Sequence, residues 1–595
     1  MKHLAYLNKY LYKYRGRLLL GVFFICISNI FGLFPPQVIR YALNLIEHNI
    51  YLYGLFDGFE QQSAFYSLFT SALLLFGALV LTMAVMKGIF MFFMRQTIIV
   101  VSRFIEYDLK NEIFRHYQDL SLSFFRRNST GDLMNRVTED VNRVRMYLGP
   151  AIMYTFNLTM LFTMVISVML SVNPKLTFFA LLPLPILAII IYNVNNIINR
   201  KSERIQSQLS TLSTYVQEAF SGIRVLKAYG KEKQSQQDFA VQADIYRDRS
   251  LSLAKVQALF FPTMLLLIGL STTLTIYIGG IEVINGNISA GNIAEFIVYV
   301  GMLTWPVMSL GWVSSLVQRA SASQERINEF LHTETEIVSG LQEAPNLQGS
   351  IKFENVSFKY PDTGITALKN VSFEIKPGEM VAIIGRTGSG KSTIANLLTR
   401  MYDVTEGRLL LDEVNIKLLR LEDIRSQIAC VPQEVFLFSD TIHNNIAFGT
   451  GEISRAEVEQ AAKNAMVHTN ISEFPKGYNT RVGERGITLS GGQKQRVSIS
   501  RALAKTSPIL LFDDCLSAVD TKTEEGILNN LGRIMKGKTT ILISHRVSTI
   551  KNADKIIVLD DGKLIEQGKH SELMKENGAY KQLYDIQLLE EEINA

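Results

Sequence analysis

Gly385-Arg386-Thr387-Gly388-Ser389-Gly390-Lys391-Ser392-Thr393 fits GxxxxGK[ST] at every fixed position, and it follows directly on the β-branched run Val381–Ile384. A glycine-rich loop between a strand and a helix can wrap closely enough for its N–H groups to cradle phosphate oxygens. In this pattern Lys391 reaches the β/γ phosphates and Ser392 ligates Mg²⁺. Further apolar runs at Ile428–Val431, Ile509–Phe512, Thr540–Ile543 and Lys555–Leu559 alternate with helical patterns. Such runs predict parallel strands covered on both faces. Asp513 closes one of them, where a carboxylate can hold the metal through its water shell. Leu489-Ser490-Gly491-Gly492-Gln493 is a second glycine-rich turn before a helix, read on its own either as an anion site or as a plain helix start.

Upstream the chain changes character. A polar connector at 321–350 separates this α/β domain, 351–595, from a first region, 1–320, that is poor in charge. Six stretches there lack Asp, Glu, Lys and Arg: 18–39, 61–86, 146–174, 176–199, 256–281 and 296–318. Each can cross a hydrocarbon layer of roughly 30 Å, which takes about 20 helical residues. The expected fold is a six-helix α-helical transmembrane domain fused to an α/β P-loop nucleotide-binding domain.

The connections alternate in length. Segments 40–60, 175 and 282–295 are short, whereas 87–145 and 200–255 are long. Residues 1–17 and the two long segments carry 25 Lys and Arg, against only Arg40 and Lys175 in the three short ones. The positive-inside rule therefore places both chain ends in the cytoplasm. The first apolar run is too long for a signal peptide and no small-residue cleavage site follows it. Residues 3–16 suit a helix lying at the inner interface, which leaves no peptidase segment to be expected before it. The long inner segments predict helical hairpins with tips near Ser121–Phe125 and Glu218–Gly222, whose aromatics suggest docking contacts. Pro183, Pro185, Pro262 and Pro306 are candidates for kinks.

The net charge of +5 is modest, and Arg126-Arg127 is too short a basic run for a nucleic-acid surface. That pair is expected to be solvated or lipid-facing, and no nucleic-acid partner is expected. Cys26, Cys430 and Cys515 are far apart, so neither a disulfide framework nor a zinc site is expected. The absence of ionisable residues from the windows argues against a proton- or ion-coupled pathway. Asn157, Tyr277, Trp305 and Trp312 are candidates either for a cavity lining or for helix packing.

Taken together, nearly the whole chain resembles the half-transporter class of ATP-binding-cassette exporters, which contains multidrug and lipid exporters. The resemblance rests on Tyr360, the loop 385–393, Gln433 in Val431-Pro432-Gln433, and Val482–Gly486 before the LSGGQ turn. It continues through Asp513, Ser517-Ala518-Val519-Asp520 and His545. It implies ATP and Mg²⁺ as cofactors. Tyr360 would stack on adenine, Gly385, Arg386, Thr387, Gly388, Ser389, Gly390, Lys391, Ser392 and Thr393 would hold phosphates, and Asp520 would join the nucleotide site. Ser392, Gln433 and Asp513 would hold the metal. His545 would contact the γ-phosphate and Gln433 would sense attacking water. Ser490, Gly491, Gly492 and Gln493 would bind a partner chain's nucleotide.

One residue departs from the family pattern. Efficient members carry glutamate after the metal-binding aspartate, and here that position is Asp514. A carboxylate one methylene short implies slow hydrolysis with retained ATP binding. It also implies a second half-transporter, a paralogue carrying the glutamate in preference to a second copy, which would give two equivalent slow sites. The implied function is ATP-driven export of an amphipathic, drug-like or lipid-like substrate from a bacterial plasma membrane, in contact with membrane lipid. The alternative is an ATP-gated channel or regulatory subunit with little turnover at Asp514.

Overall fold

The charge-free windows fold as helices that run well past their apolar limits. The computed structural model describes residues 2–55, 58–59, 61–344, 346–483, 486, 488–516 and 521–594. Membrane-length helical segments cover Arg15–Ile50, Gln62–Asp119, Thr130–Val172, Pro174–Ser221, Glu232–Ile284 and Ala290–Leu331. The most apolar 18-residue stretch of the second has no buried residue at all. Leu68, Leu74, Leu75 and Leu81 point outward at 67–70% exposure. A row of outward leucines is untenable in water and natural in lipid, where the helix satisfies its own backbone.

The chain divides into two compact units, Met1–His116 with Gly131–Thr333, and Tyr117–Thr130 with Glu334–Ala595. In the first, Val165, Met169, Leu187, Ile191, Met264, Leu267, Phe296, Tyr299 and Leu303 form a core between the third, fourth, fifth and sixth helices. Carboxylates just outside the windows are tied down. Lys175 pairs with Glu282 at 2.9 Å and Arg40 with Glu295 at 3.0 Å. Asn173 caps the helix that starts at Pro174 by accepting from the Leu176 N–H at 2.8 Å. The interfacial helix is anchored, with Lys9 donating to Glu112 at 2.6 Å and Lys13 to Asp108 at 2.7 Å.

Pro262 and Pro306 lie inside helices, and Pro183 restarts the fourth segment directly after a turn at Leu182 that interrupts it. Pro35 and Pro36, which the sequence reading passed over, are inside the first. Two π-helical turns, Arg136–Asp140 and Tyr147–Ala151 with Pro150 in it, interrupt the third. They widen the helix, and composition gave no sign of them.

The second unit is built on two sheets. One has six strands in the order β10-β9-β3-β8-β7-β6, with β3 Met380–Gly385, β6 Ile428–Val431, β7 Ile509–Asp513, β8 Thr539–Ile543, β9 Lys555–Asp560 and β10 Lys563–Gly568. The five expected strands are mutually parallel, and only β10 is antiparallel. Their side chains alternate between two cores. Val381 and Ile383 join Leu511 and Ile541 on one face, while Ala382 and Ile384 join Leu510, Phe512 and Leu542 on the other. A smaller antiparallel sheet, β2-β1-β4-β5, comprises β1 Ile351–Lys359, β2 Thr366–Ile375, β4 Glu406–Leu411 and β5 Val414–Asn415. It closes the first of these cores with Phe353 and Phe373 stacked at 4.4 Å.

Candidate functional site

Strand order explains why residues more than 150 positions apart meet. β3, β8, β7 and β6 lie side by side and parallel, so the loops leaving their carboxyl ends emerge together. β3 delivers loop 385–393, β8 delivers His545, β7 delivers Asp513 and Asp514, and β6 delivers Gln433. Register makes this tight, because Ile383 pairs with Ile543 and Asp513 also pairs with Ile543.

The loop needs its glycines. Gly388 and Gly390 have φ of +84° and +98°, a region in which a side chain is strained. A Cβ on Gly390 would collide with the Ala367 carbonyl, and one on Gly385 with that of Leu559. The helix Lys391–Leu398 follows directly, aiming its free N–H groups and positive dipole end into the loop.

A cavity of about 360 Å³ opens here. Its lining brings together Tyr360, Thr387, Gly388, Gly390, Lys391, Ser392, Thr393, Gln433, Asp513, Asp514 and His545. Gly385, Arg386 and Ser389 shape the loop behind the lining. Lys391 is buried and donates to the Gly385 and Arg386 carbonyls at 2.8 Å each. Burial pulls its ammonium down to about 8. Burial also lowers the His545 imidazole below its ordinary value, helped by the nearby Lys391 charge, so at neutral pH His545 is a neutral hydrogen-bonding group. Asp513 is raised by burial, with Ser392 donating to its Oδ1 at 3.1 Å and opposing the shift. A hydroxyl and a carboxylate this close, on a phosphate-binding loop, form a hard-oxygen pair suited to Mg²⁺. No group of three His, Cys, Asp or Glu side chains able to hold a metal occurs among the described residues. Such an ion would therefore need phosphate oxygens as well.

Asp514 is half-buried at φ +45°, with its N–H bonded to the Ile543 carbonyl at 2.9 Å. Aspartate tolerates this left-handed backbone better than most residues. Asp520, with Ser517, Ala518 and Val519, lies outside the described residues.

Ser490 and Gly491 stand exposed and do not line this cavity. Ser490 caps the helix Gly491–Ala504 in a reciprocal box, its N–H donating to Gln493 Oε1 at 3.0 Å. Gly492 lies in the same first turn. The box occupies the Ser490 and Gln493 N–H groups, so the amides of this first turn that lie outside it are those of Gly491 and Gly492.

Arg126 corrects the sequence reading. The tip segment Tyr117–Thr130 belongs to the same compact unit as the nucleotide-binding region, so Arg126 and Arg127 are neither merely solvated nor lipid-facing. The Arg126 guanidinium lies 5.0 Å from the Tyr360 ring centre, pairs with Asp362 at 3.5 Å, and lines the cavity. Arg127 pairs with Glu336 at 2.9 Å. Gln587 was also missed. It braces the backbone around His545, accepting from the Val547 N–H at 2.8 Å and donating to the His545 carbonyl. No local motif marks either residue.

Comparison with known proteins agrees with this architecture. The family model of the ABC transporter transmembrane region matches residues 18–307, and that of the ABC transporter matches residues 368–517. The multidrug resistance-like ATP-binding protein MdlA of Escherichia coli K12 is 35% identical over 591 residues, 99% of this chain and 97% of that one. This chain belongs to the ATP-binding-cassette exporters. The ATP-dependent lipid A-core flippase of Pseudomonas fluorescens is 36% identical over 82% of this exporter and 81% of its own length. A bacterial Atm1-family ABC exporter solved with ATP bound superposes with a TM-score of 0.75 at 28% identity, covering 96% of this exporter and 99% of that chain. The exporter is an integral membrane protein that uses ATP.

Proposed function

We propose that this exporter moves an amphipathic, drug-like or lipid-like molecule across a bacterial inner membrane by alternating access, as one half of a two-chain assembly with both termini cytoplasmic. One observation carries the two-chain reading. Lys391, Ser392, Asp513 and His545 converge on one cavity, while the exposed turn Ser490–Gly491, with the Gly491 and Gly492 amides outside the capping box, stands apart from it. Each half-site lacks what the other presents, so a second chain supplies the complement. Mg²⁺ would be held by Ser392 and Asp513, with Gln433 alongside, and when bound would neutralise charge on the phosphates.

The chain's own residues then divide the work. Tyr360 offers a ring face to the base, the loop amides and Lys391 orient the triphosphate, and neutral His545 donates toward the terminal phosphate. Asp514 positions the attacking water. Aspartate reaches less far than glutamate, and about 1 Å of misplacement costs on the order of 10²-fold in rate. Binding therefore outlasts hydrolysis at this site, and the partner that fits best is a paralogue carrying glutamate. The multidrug and lipid A-core relatives support the amphipathic substrate class.

Uptake into inside-out vesicles tests the transport reading. ATP should concentrate substrate inside, and Lys391→Ala should abolish this. Equilibration without accumulation would instead favour a gated channel.

A further inference from the structure

The transmembrane unit holds a cavity of about 560 Å³ lined by Phe92, Arg95, Gln96, Met146, Met153, Tyr154 and Trp312, among others. The second, third and sixth helices each contribute. Tyr154 links the chain's two tryptophans, with ring centres 5.7 Å from Trp305 and 5.4 Å from Trp312. Pro150, inside the second π-helical turn, also lines it, so the widened helix helps to open the space.

Charge makes the cavity selective. Arg95 is the one charged residue of its lining, and no Asp or Glu joins it. Among the described residues no ion pair or hydrogen bond is found for its guanidinium, whereas Arg103, Arg143 and Arg145 nearby all have acidic partners. Tyr154 and Trp312 lie within charge-free windows and Arg95 lies beyond the end of another. Arg95 is exposed and belongs to segment 87–145, which the positive-inside rule puts at the inner face, so its charge stands free at the cytoplasmic mouth of the cavity. Arginine also matches sulfate, phosphate and carboxylate groups with two parallel donors.

We propose that this cavity binds an anionic amphiphile, with its headgroup on Arg95 and its chain along Met153, Tyr154 and Trp312. The proposal narrows the substrate class given above and rests on that reading for the direction of transport only. Binding itself needs no ATP. The committed occupant is a singly charged anion with an alkyl tail, entering from the inner leaflet, rather than the cationic drug that an aromatic pocket lacking Arg95 would favour.

Trp312 provides the readout. In a Trp305→Phe background, in zwitterionic phosphatidylcholine nanodiscs, Trp312 emission is titrated with 11-bromoundecyl sulfate, 11-bromoundecanol and 11-bromoundecyl trimethylammonium. Bromine quenches only near contact. The sulfate should quench saturably, at a half-point about tenfold below the other two probes. Arg95→Gln should erase that advantage and Arg95→Lys should keep part of it, with ATP binding unchanged in both. Equal quenching by the three probes, or an unchanged sulfate half-point in Arg95→Gln, overturns the proposal. Should Arg95→Gln not fold, the three-probe comparison on the Trp305→Phe chain decides alone. A chain that binds the sulfate but never concentrates solute would sink the export reading and leave this one standing.

Discussion

Asp514 and Lys391 carry the residue-scale chemistry. Asp514→Glu should raise ATP turnover by about 10- to 100-fold if reach is what limits the water-positioning carboxylate, with nucleotide affinity unchanged, as phosphate release and equilibrium binding would report. An unchanged rate would mean that the left-handed backbone at 514 already aims the shorter side chain correctly. Lys391 gives a pH signature. Its ammonium sits at about 8 because of burial, and triphosphate favours the protonated form. Above pH 8, ATP binding should therefore take up a proton and weaken as pH rises, while near pH 6.5 this coupling vanishes. Calorimetry in buffers of different ionisation enthalpy measures the uptake directly. At this scale the phosphate loop and Asp513 were legible because GxxxxGK[ST] and a strand-end acid are local patterns. Arg126 was not, since a two-residue basic run looks the same whether it faces water or a tyrosine ring.

Helices and strands carry the coupling. The short helix Leu122–Arg127 sits in the same unit as the nucleotide site, with Ser123 fully buried and bonded to Glu336. Phe124→Ala with Phe125→Ala should leave ATP binding intact and lower transport per ATP hydrolysed severalfold. Vesicle uptake compared with phosphate release checks this, and unchanged coupling would remove the tip from the mechanical route. The other tip, around the helix Ile223–Ala228, leaves Phe220 and Tyr229 more than 70% exposed. Parallel strands were readable as unbroken apolar runs, because burial on both faces leaves no alternation. The antiparallel strands β1, β2, β4 and β5 were not, since mixed polar faces and bulges such as that between Glu354 and Ser357 blur their period. Nor do the π-helical turns leave a compositional trace.

For the whole molecule, the claim that matters is that two polypeptides share each nucleotide. The separate placement of Ser490–Gln493 and the phosphate loop motivates it, and Asp514 makes a glutamate-bearing paralogue the expected companion. Isolation from native membranes should therefore yield a second chain in equal amount. The most direct measurement is a disulfide cross-link. Ser490→Cys in this exporter is combined with a cysteine replacing the residue equivalent to Arg386 in the co-purifying chain. Burial raises the native Cys430 and Cys515 thiols, so these compete poorly for oxidant. ATP should drive a band joining the two chains, and removing either cysteine should abolish it. If instead Ser490→Cys with Arg386→Cys in one chain closes an internal bond and no band joins two chains, the shared site does not exist.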